Sequence, residues 1–194
     1  MGEKGVFGKF IDFLKKDDWP SFFVTLLLAF VLIKYVFFPF LSILTGTSLP
    51  LVIVESCSMY HSEQGFRNVF LSPLYQENNI SFEDTEEWIF PDGFSKGDVI
   101  FVVGADEIKV GDVIIFEAGS TYPLIHRVIR VNGDGTFSTK GDNYKTNSRQ
   151  LFNEKKISRD QILGKAVFRI PLIGWAKLIF FEAARAPSQR GFCS

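Results

Sequence analysis

The sequence predicts a mostly β (α+β) domain of short antiparallel strands, preceded by one N-terminal transmembrane α-helix. Two observations support this prediction. Residues 21–44 form an apolar run in which Lys34 is the only charge. Further along the chain, short apolar runs rich in β-branched residues alternate with Gly-Asp and Asn-Gly turns. A long apolar helix followed by many short strands is typical of an anchored β-rich domain.

The apolar run is long enough to cross a bilayer, which requires about 20 apolar residues in a helix. We expect a span over roughly residues 22–38, with Pro39 ending or kinking the helix because proline lacks an N–H. A buried core helix is the alternative, but core helices of this length usually carry a polar stripe. A cleaved signal peptide is disfavoured because its apolar region is shorter, about 7–15 residues.

Basic residues predict the orientation of the span. Lysines precede it at positions 4, 9, 15 and 16, whereas the next basic residue after Lys34 is Arg67. The positive-inside rule therefore places the N-terminus in the cytoplasm and the body of the protein on the other side.

The predicted organisation has four segments. They are a cytoplasmic amphipathic lead-in (1–18), a transmembrane anchor (19–45), an extracytoplasmic β-rich domain (46–181) with an inserted segment (60–95), and a polar tail (182–194). The insertion is acidic yet aromatic, and we expect weak helical character there. The apolar residues 170–181 are too few to span a membrane, and both core packing and membrane contact remain open for them.

Composition excludes several classes of function. A net charge of −1 gives no indication of nucleic-acid binding. The two cysteines, Cys57 and Cys193, do not suggest a disulfide framework and lack the spacing of metal ligands. No nucleotide motif is present either, so we expect no cofactor.

Six strands are expected in the domain, and each follows a turn signal or a β-branched run. Lys96-Gly97-Asp98 and Val110-Gly111-Asp112 both place a Gly-Asp turn before an apolar strand, and Asn132-Gly133 predicts a hairpin. The expected strands are residues 49–54, 99–101, 113–116, 124–131, 136–139 and 162–168.

Three polar residues follow these strands in an order that suggests nucleophilic catalysis. Ser58 comes just after the first strand, His126 lies inside the fourth, and Asp142 follows the fifth in a Gly-Asp-Asn turn. A serine hydroxyl needs a base to remove its proton, and a carboxylate can orient that base. Each residue also has a structural interpretation, since strand histidines and turn aspartates are common.

Two other candidates are weaker. His61 lies only three residues after Ser58, where a fixed approach to the serine would be difficult. Cys57 lies between Ser56 and Ser58, and strand alternation would turn its thiol away from both.

The same motifs carry a resemblance to a known family. Ser56-Cys57-Ser58-Met59, His126-Arg127 and Gly141-Asp142-Asn143, together with residues 170–175, resemble type I signal peptidases of the archaeal and endoplasmic-reticulum branch. The resemblance covers residues 49–59 and 96–175. It implies that Ser58 is the nucleophile, His126 the general base and Asp142 the orienting acid. It also implies Ser56 and the Ser58 N–H as oxyanion donors, with Met59 in the oxyanion and substrate-binding region.

The chain departs from the family pattern at three places. Tyr60-His61 stands where proline is common, the insertion separates Ser58 from the first Gly-Asp turn, and no second aspartate closely follows Gly141-Asp142-Asn143. Asp142 would then have to act alone, because Asp160 is distant in sequence.

The resemblance implies a membrane-anchored serine endopeptidase that removes signal peptides from secreted preproteins after small residues. The expected partners are preprotein signal peptides and membrane lipid, with a secretion translocon or accessory subunits as further options, and no nucleic acid. The expected location is the plasma membrane, or the endoplasmic reticulum membrane in a eukaryote. Two alternatives stay open: a peptidase dedicated to pilin or surface proteins, and an inactive tethered β domain that binds partner proteins.

Overall fold

A computed structural model describes residues 5–61 and 65–193 of the chain. It divides into two compact units, Met1–Leu44 and Thr45–Ser194. The first unit is helical, and the second contains the sheet and all of the predicted site residues.

The N-terminal unit contains the predicted membrane helix. Helix α1 covers Val6–Leu14, and α2 covers Trp19–Leu32, where Asp18 caps the first turn by accepting a hydrogen bond from the Ser21 N–H at 2.8 Å. A π-helical turn, Ile33–Phe37, leads into α3, Phe38–Thr45. Within the described residues, Trp19–Thr45 is the one helical segment long and apolar enough to cross a membrane, as the sequence predicted.

The helix does not end at Pro39, which was one of the two outcomes expected there, an end or a kink. It continues to Thr45, and the π-helical turn lies immediately before the proline. A proline ring clashes with the carbonyl four residues earlier and leaves it without its N–H partner. The wider π turn accommodates this defect locally, so the helix can pass through the proline.

The second unit is built on one six-stranded sheet in which every neighbouring pair is antiparallel. The predicted α+β class is therefore confirmed. The spatial order is β1-β2-β6-β3-β4-β5, which leaves β1 and β5 at the edges. The strands are β1 (Leu51–Ile53), β2 (Val99–Val103), β3 (Val113–Phe116), β4 (Leu124–Val131), β5 (Phe137–Lys140) and β6 (Ile162–Ile170).

The two Gly-Asp phrases form equivalent turns. Gly97 and Gly111 have φ of 92° and 93°, a region that residues with a Cβ rarely adopt. Each following aspartate accepts a hydrogen bond at 2.9 Å from the N–H three residues earlier, in one case Ser95 to Asp98. A tryptophan covers each glycine, so a Cβ on Gly97 would lie 2.1 Å from the Trp175 ring. The turn interpretation of both phrases is confirmed.

Burial extends to both faces of β4. A bulge interrupts the β4–β5 register between Val128 and Arg130, and Val128 and Ile129 are both fully buried. They belong to different apolar clusters, with Ile129 packed against the insertion and Val128 against Phe137 of β5. β4 therefore lies in the middle of the core rather than at its surface.

Residues 65–95 of the insertion contain short helices, consistent with the weak helical character expected there; residues 62–64 lie outside the described part. Its ends meet at a bridge between Tyr60 and Gly93. Its aromatic side chains form a cluster that rests on β4 through Ile129. The helices are α4 (Gly65–Val69), α5 (Pro73–Glu77) and a 3₁₀ turn (Glu83–Glu87).

After β6 the chain forms one short helix, α6 (Trp175–Leu178), and then a tail segment, defined as residues 182–193. Leu178 is buried, whereas Ile173, Ile179 and Phe180 are exposed. The tail segment contains two 3₁₀ turns, Glu182–Ala184 and Pro187–Gln189. A disulfide joins Cys57 to Cys193, a pairing that the sequence analysis did not predict.

The Gly97 turn gives a stability prediction. Gly97→Ala should lower the free energy of unfolding by more than about 2 kcal/mol, because left-handed strain of about 1–2 kcal/mol adds to a clash with Trp175. Gly135→Ala is the matched control: it has φ of 82° but no heavy atom within 4 Å of the added Cβ. Denaturant unfolding followed by tryptophan fluorescence measures both. Equal losses in the two variants would contradict the role given to the Trp175 contact.

Candidate active site

Ser58 lies on the loop that follows edge strand β1. The loop starts from Val54, whose N–H donates to the Asp98 carbonyl at 2.9 Å. Its far side is held by Asn143, whose N–H donates to the Ser58 carbonyl at 2.8 Å and whose Nδ2 donates to the Cys57 carbonyl at 2.9 Å. The Oγ atoms of Ser56 and Ser58 lie 3.2 Å apart. The two hydroxyls therefore share one side of the loop.

His126 is almost completely buried within β4, with 3% of its surface exposed. Its Nδ1 forms a short hydrogen bond with Oε1 of Glu154. Glu154 is fully buried, and its Oε2 accepts a hydrogen bond from the Leu151 N–H at 2.6 Å. The carboxylate is thus fixed at both oxygens, and it leaves Nε2 of His126 as the nitrogen free to act on another group.

Gly141 keeps the space between His126 and the Ser58 loop open. A Cβ on this residue would lie 2.8 Å from the Ser58 carbonyl oxygen and 3.0 Å from Nε2 of His126. Both distances are shorter than a normal contact, so a single added methyl group would touch both residues. The glycine of the Gly-Asp-Asn turn is therefore required by the close approach of the imidazole to the serine loop.

The structure places Asp142 away from the position expected for it. The sequence analysis set Asp142 beside His126, but the carboxylate instead contacts Arg127, with Oδ2 2.7 Å from Nη2, and His61, with Oδ2 2.7 Å from Nε2. Side chains alternate along a strand, so His126 and Arg127 point to opposite faces of β4. Asp142 follows the Arg127 side, and Glu154 occupies the His126 side.

The Arg127 guanidinium is completely buried and fully hydrogen-bonded. Besides Asp142, it donates to three carbonyl oxygens, those of Ile89 at 2.7 Å, Gly111 at 2.8 Å and Phe90 at 3.0 Å. Burial raises the pKa of Asp142, but the charge of Arg127 and the hydrogen bonds from His61 and Arg127 outweigh it and hold the pKa at about 2. Asp142 is consequently ionised throughout the neutral range.

A second buried cation stands next to the two carboxylates. Lys140 at the end of β5 donates through Nζ to the Gly141 carbonyl at 3.0 Å and to the Asn147 carbonyl. Burial lowers the pKa of Lys140, and the nearby charges of Glu154 and Asp142 oppose that effect. Its hydrogen bonds support the backbone on both sides of the turn that faces His126.

The remaining predicted residues have different surroundings. Ser56 is exposed beside Ser58, where a hydroxyl donor was expected. Met59 is fully buried in the apolar core with Val54 and Phe94, so its side chain cannot reach a substrate, and the expected substrate-binding role is corrected for that side chain. His61 stacks on Phe66 with ring centroids 3.5 Å apart and points at Asp142.

Sequence reasoning did not identify Glu154. The residue lies outside the quoted motifs, in a polar stretch before two lysines. One signal was available, because Glu154 is the first acidic residue after Asp142 in a chain that lacks the expected second aspartate. The pairing of Cys57 with Cys193 had no comparable signal, since the two residues are 136 positions apart.

Comparison with known proteins shows similarity to signal peptidase subunits. The chain is 34% identical over 95 residues to the signal peptidase complex catalytic subunit SEC11C of Homo sapiens, covering 44% of this chain and 50% of that protein. It is 31% identical over 98 residues to subunit SEC11 of Colletotrichum graminicola, covering 46% and 57%. For SEC11 of Lodderomyces elongisporus the values are 31% over 97 residues, 46% and 58%.

These matches span only about half the length of the relatives. No family model matches the chain. The resemblance to endoplasmic-reticulum-type signal peptidases is nevertheless confirmed, because proteins named as catalytic subunits of that peptidase are homologues of this chain.

The buried Asp142–Arg127 pair gives a prediction for stability. Asp142→Asn should lower the free energy of unfolding at pH 7 by about 3–5 kcal/mol, because it leaves a buried guanidinium without its counter-charge. Asp134→Asn is the control, since Asp134 and its partner Lys156 are exposed and should contribute little. Urea unfolding of the full chain in detergent measures both variants.

The same pair predicts a pH dependence. The pKa of Asp142 in the folded protein, about 2, lies below the ordinary value of 3.8. Its stabilisation is therefore complete above about pH 4 and is lost as the pH falls through about 2, a change of roughly 2 kcal/mol. The stability gap between wild type and Asp142→Asn should narrow over this range. A gap that stays constant from pH 5 to pH 2 would contradict the assignment.

Proposed function

We propose that this homologue of signal peptidase catalytic subunits is a membrane-anchored serine endopeptidase. It removes signal peptides from secreted preproteins after small residues, at the extracytoplasmic membrane surface. The observation that carries the proposal is the buried Glu154–His126 pair, whose free Nε2 faces the loop bearing Ser58 and Ser56. Each part of this arrangement corresponds to one requirement of acyl transfer by serine.

The first requirement is an activated nucleophile. In the proposed reaction, Ser58 Oγ attacks the scissile carbonyl while His126 Nε2 takes its proton. His126 then donates that proton to the leaving amine. In the second half of the reaction, water attacks the acyl-enzyme while His126 takes a proton from the water, and His126 then returns a proton to Ser58 Oγ. Glu154 keeps the proton of the neutral imidazole on Nδ1 and stabilises the imidazolium as it forms.

The second requirement is stabilisation of the oxyanion. The Ser56 hydroxyl lies 3.2 Å from Ser58 Oγ, close to where the tetrahedral intermediate would form. With the Ser58 N–H it would supply two donors to the developing negative charge. Loss of one such donor typically costs about 3–4 kcal/mol in the transition state.

The third requirement is a place for an extended substrate. β1 is an edge strand with β2 on one side only, and its chain continues directly into the serine loop. A peptide that adds to a sheet edge gains main-chain hydrogen bonds, and neighbouring pockets select side chains. A substrate paired with β1 would reach the serines along the direction of the strand.

The proposed location rests on two independent features. Basic residues before the apolar helix favour a cytoplasmic N-terminus and a single-pass topology. The Cys57–Cys193 disulfide favours an oxidising compartment for the sheet domain, such as the cell exterior or the lumen of the secretory pathway. Accessory subunits are proposed as partners because the relatives are named as subunits of a complex.

Cleavage of a model preprotein in liposomes tests the function. Wild type should release the mature protein at an Ala-x-Ala junction, whereas Ser58→Ala and His126→Ala should each lose at least about 1,000-fold in kcat because both act in one proton transfer. Ser120→Ala is the control, because this exposed serine donates its hydroxyl hydrogen to the Tyr122 carbonyl within the connection between β3 and β4. Cleavage that survives Ser58→Ala would refute the assigned nucleophile.

A comparison of two amide substitutions tests which acid orients the base. Glu154→Gln keeps the size of the side chain but removes the charge that stabilises the imidazolium, so kcat should fall by about 100- to 10,000-fold, with a smaller loss of stability than in Asp142→Asn. Asp142→Asn should chiefly lower stability, with a smaller loss of kcat in the fraction that stays folded. The reverse pattern would return the orienting role to Asp142.

A further inference from the structure

The disulfide joins the serine loop to the tail segment, residues 182–193. Cys57 is the residue between Ser56 and Ser58, and its Cα lies 5.5 Å from that of Cys193. The two bonded cysteines are 136 residues apart in the sequence. It therefore attaches the tail segment directly to the part of the loop that carries the two hydroxyls.

Two cation–carboxylate contacts hold the tail segment against the same region. Lys96, whose side chain is 1% exposed, lies 2.6 Å from Glu182 Oε1 and donates to the Gln189 carbonyl at 2.7 Å. Arg185 donates through Nη2 to Glu55 Oε2 at 2.6 Å and through Nη1 to the Glu55 carbonyl at 3.3 Å. Glu55 immediately precedes Ser56, so these contacts act at the start of the serine loop.

The other side of the serine loop is held by the Gly-Asp-Asn turn. Asn143 donates hydrogen bonds to the carbonyl groups of both Cys57 and Ser58. The loop is thus fixed by two hydrogen bonds from Asn143 on one side and by the tail segment on the other. The disulfide is the one covalent part of that second attachment.

We propose that the tail segment is a clamp that positions the serine loop. The Cys57–Cys193 disulfide is the redox-sensitive bond that keeps this clamp closed. With the bond closed, the clamp holds Ser58 in line with His126. With the bond open, the ion pairs remain but the loop samples other positions, and catalysis slows. The expected effect on catalysis rests on the proposed peptidase function, whereas the expected effect on the position of the serine loop does not.

The chemistry that opens the clamp is exchange with a dithiol. A thiolate of the reductant attacks one sulfur of the disulfide, which forms a mixed disulfide and releases the other cysteine. The second thiol of the reductant then attacks the reductant's own sulfur in the mixed disulfide and releases the remaining cysteine. Two electrons and two protons pass to Cys57 and Cys193, and the reductant leaves as its own disulfide. Both cysteines are partly exposed, so a small dithiol can reach the bond.

The expected effect is on kcat more than on KM. Substrate pairing along β1 does not involve the tail segment, whereas alignment of Ser58 with His126 does. A displacement of about 1 Å at a reacting group can reduce the rate by as much as 100-fold. We therefore expect a fall of about 10- to 100-fold in kcat on reduction, with KM changed less than about threefold.

The test compares oxidised and dithiothreitol-treated full-length protein in liposomes, with thiol labelling to confirm reduction. Activity on a model preprotein is measured beside amide hydrogen exchange in residues 54–60. Cys57→Ala/Cys193→Ala should have the low kcat of the reduced wild type and no response to the reductant. Arg185→Ala should deepen the loss after reduction, while Arg130→Ala, at an exposed position on β4, should not.

The outcomes separate this inference from the proposed function. Faster exchange in residues 54–60 together with a lower kcat on reduction supports the clamp. Unchanged kcat and unchanged exchange after verified reduction overturn it. If the oxidised protein cleaves no preprotein, the proposed function fails, and the exchange data alone then decide whether the disulfide fixes the loop. If the cysteine-free variant also loses activity when the reductant is added, the loss of activity does not come from the disulfide, and the proposal is overturned.

Discussion

The buried Arg127–Asp142 pair is the interaction on which the second unit most depends. The guanidinium joins four parts of the chain: its own strand β4, the turn at Gly111, the insertion at Ile89 and Phe90, and the turn that contains Asp142. Each contact pairs an N–H of the buried guanidinium with an acceptor, so the charge is not left unsatisfied. A buried charge pair adds little net stability over an apolar replacement, but loss of one partner leaves an uncompensated charge, so the pair fixes how these segments meet.

That constraint determines the geometry of the candidate site. Because Arg127 holds Asp142, the next residue, Asn143, is positioned to bind the carbonyl groups of Cys57 and Ser58. The preceding residue, Gly141, is left between Ser58 and His126, where only a hydrogen fits. The Gly-Asp-Asn turn therefore has three separate roles. Its glycine leaves room for the imidazole, its aspartate anchors the turn, and its asparagine holds the serine loop.

The parts of the molecule that sequence could predict are those set by local patterns. The strands, the Gly-Asp turns and the apolar helix follow from alternation, backbone conformation and hydropathy. Glu154 could not be assigned in this way, because the motif pattern favoured the nearer Asp142, and only the path of the chain after β5 decides which carboxylate reaches which face of β4. The same holds for Cys193, which meets Cys57 through the folding of the tail segment. The sequence left open whether Pro39 ends or kinks the helix, because a π turn leaves no clear mark in hydropathy.

Charge balance explains why two acids are needed beside β4. Within the residues around His126, the buried carboxylates of Asp142 and Glu154 stand near two buried cations, Arg127 and Lys140. Each buried carboxylate therefore has a basic group close to it, so neither is an isolated buried ion. In the proposed reaction, the positive charge that His126 would gain with the proton of Ser58 lies against Glu154, while the negative charge would develop on the substrate oxygen near Ser56. If Asp142 were the acid beside His126, Arg127 would lose its counter-charge, and the strand that carries the base would lose its anchor. The division of the two carboxylates between the two faces of β4 allows the same dipeptide, His126-Arg127, to serve both the proposed chemistry and the fold.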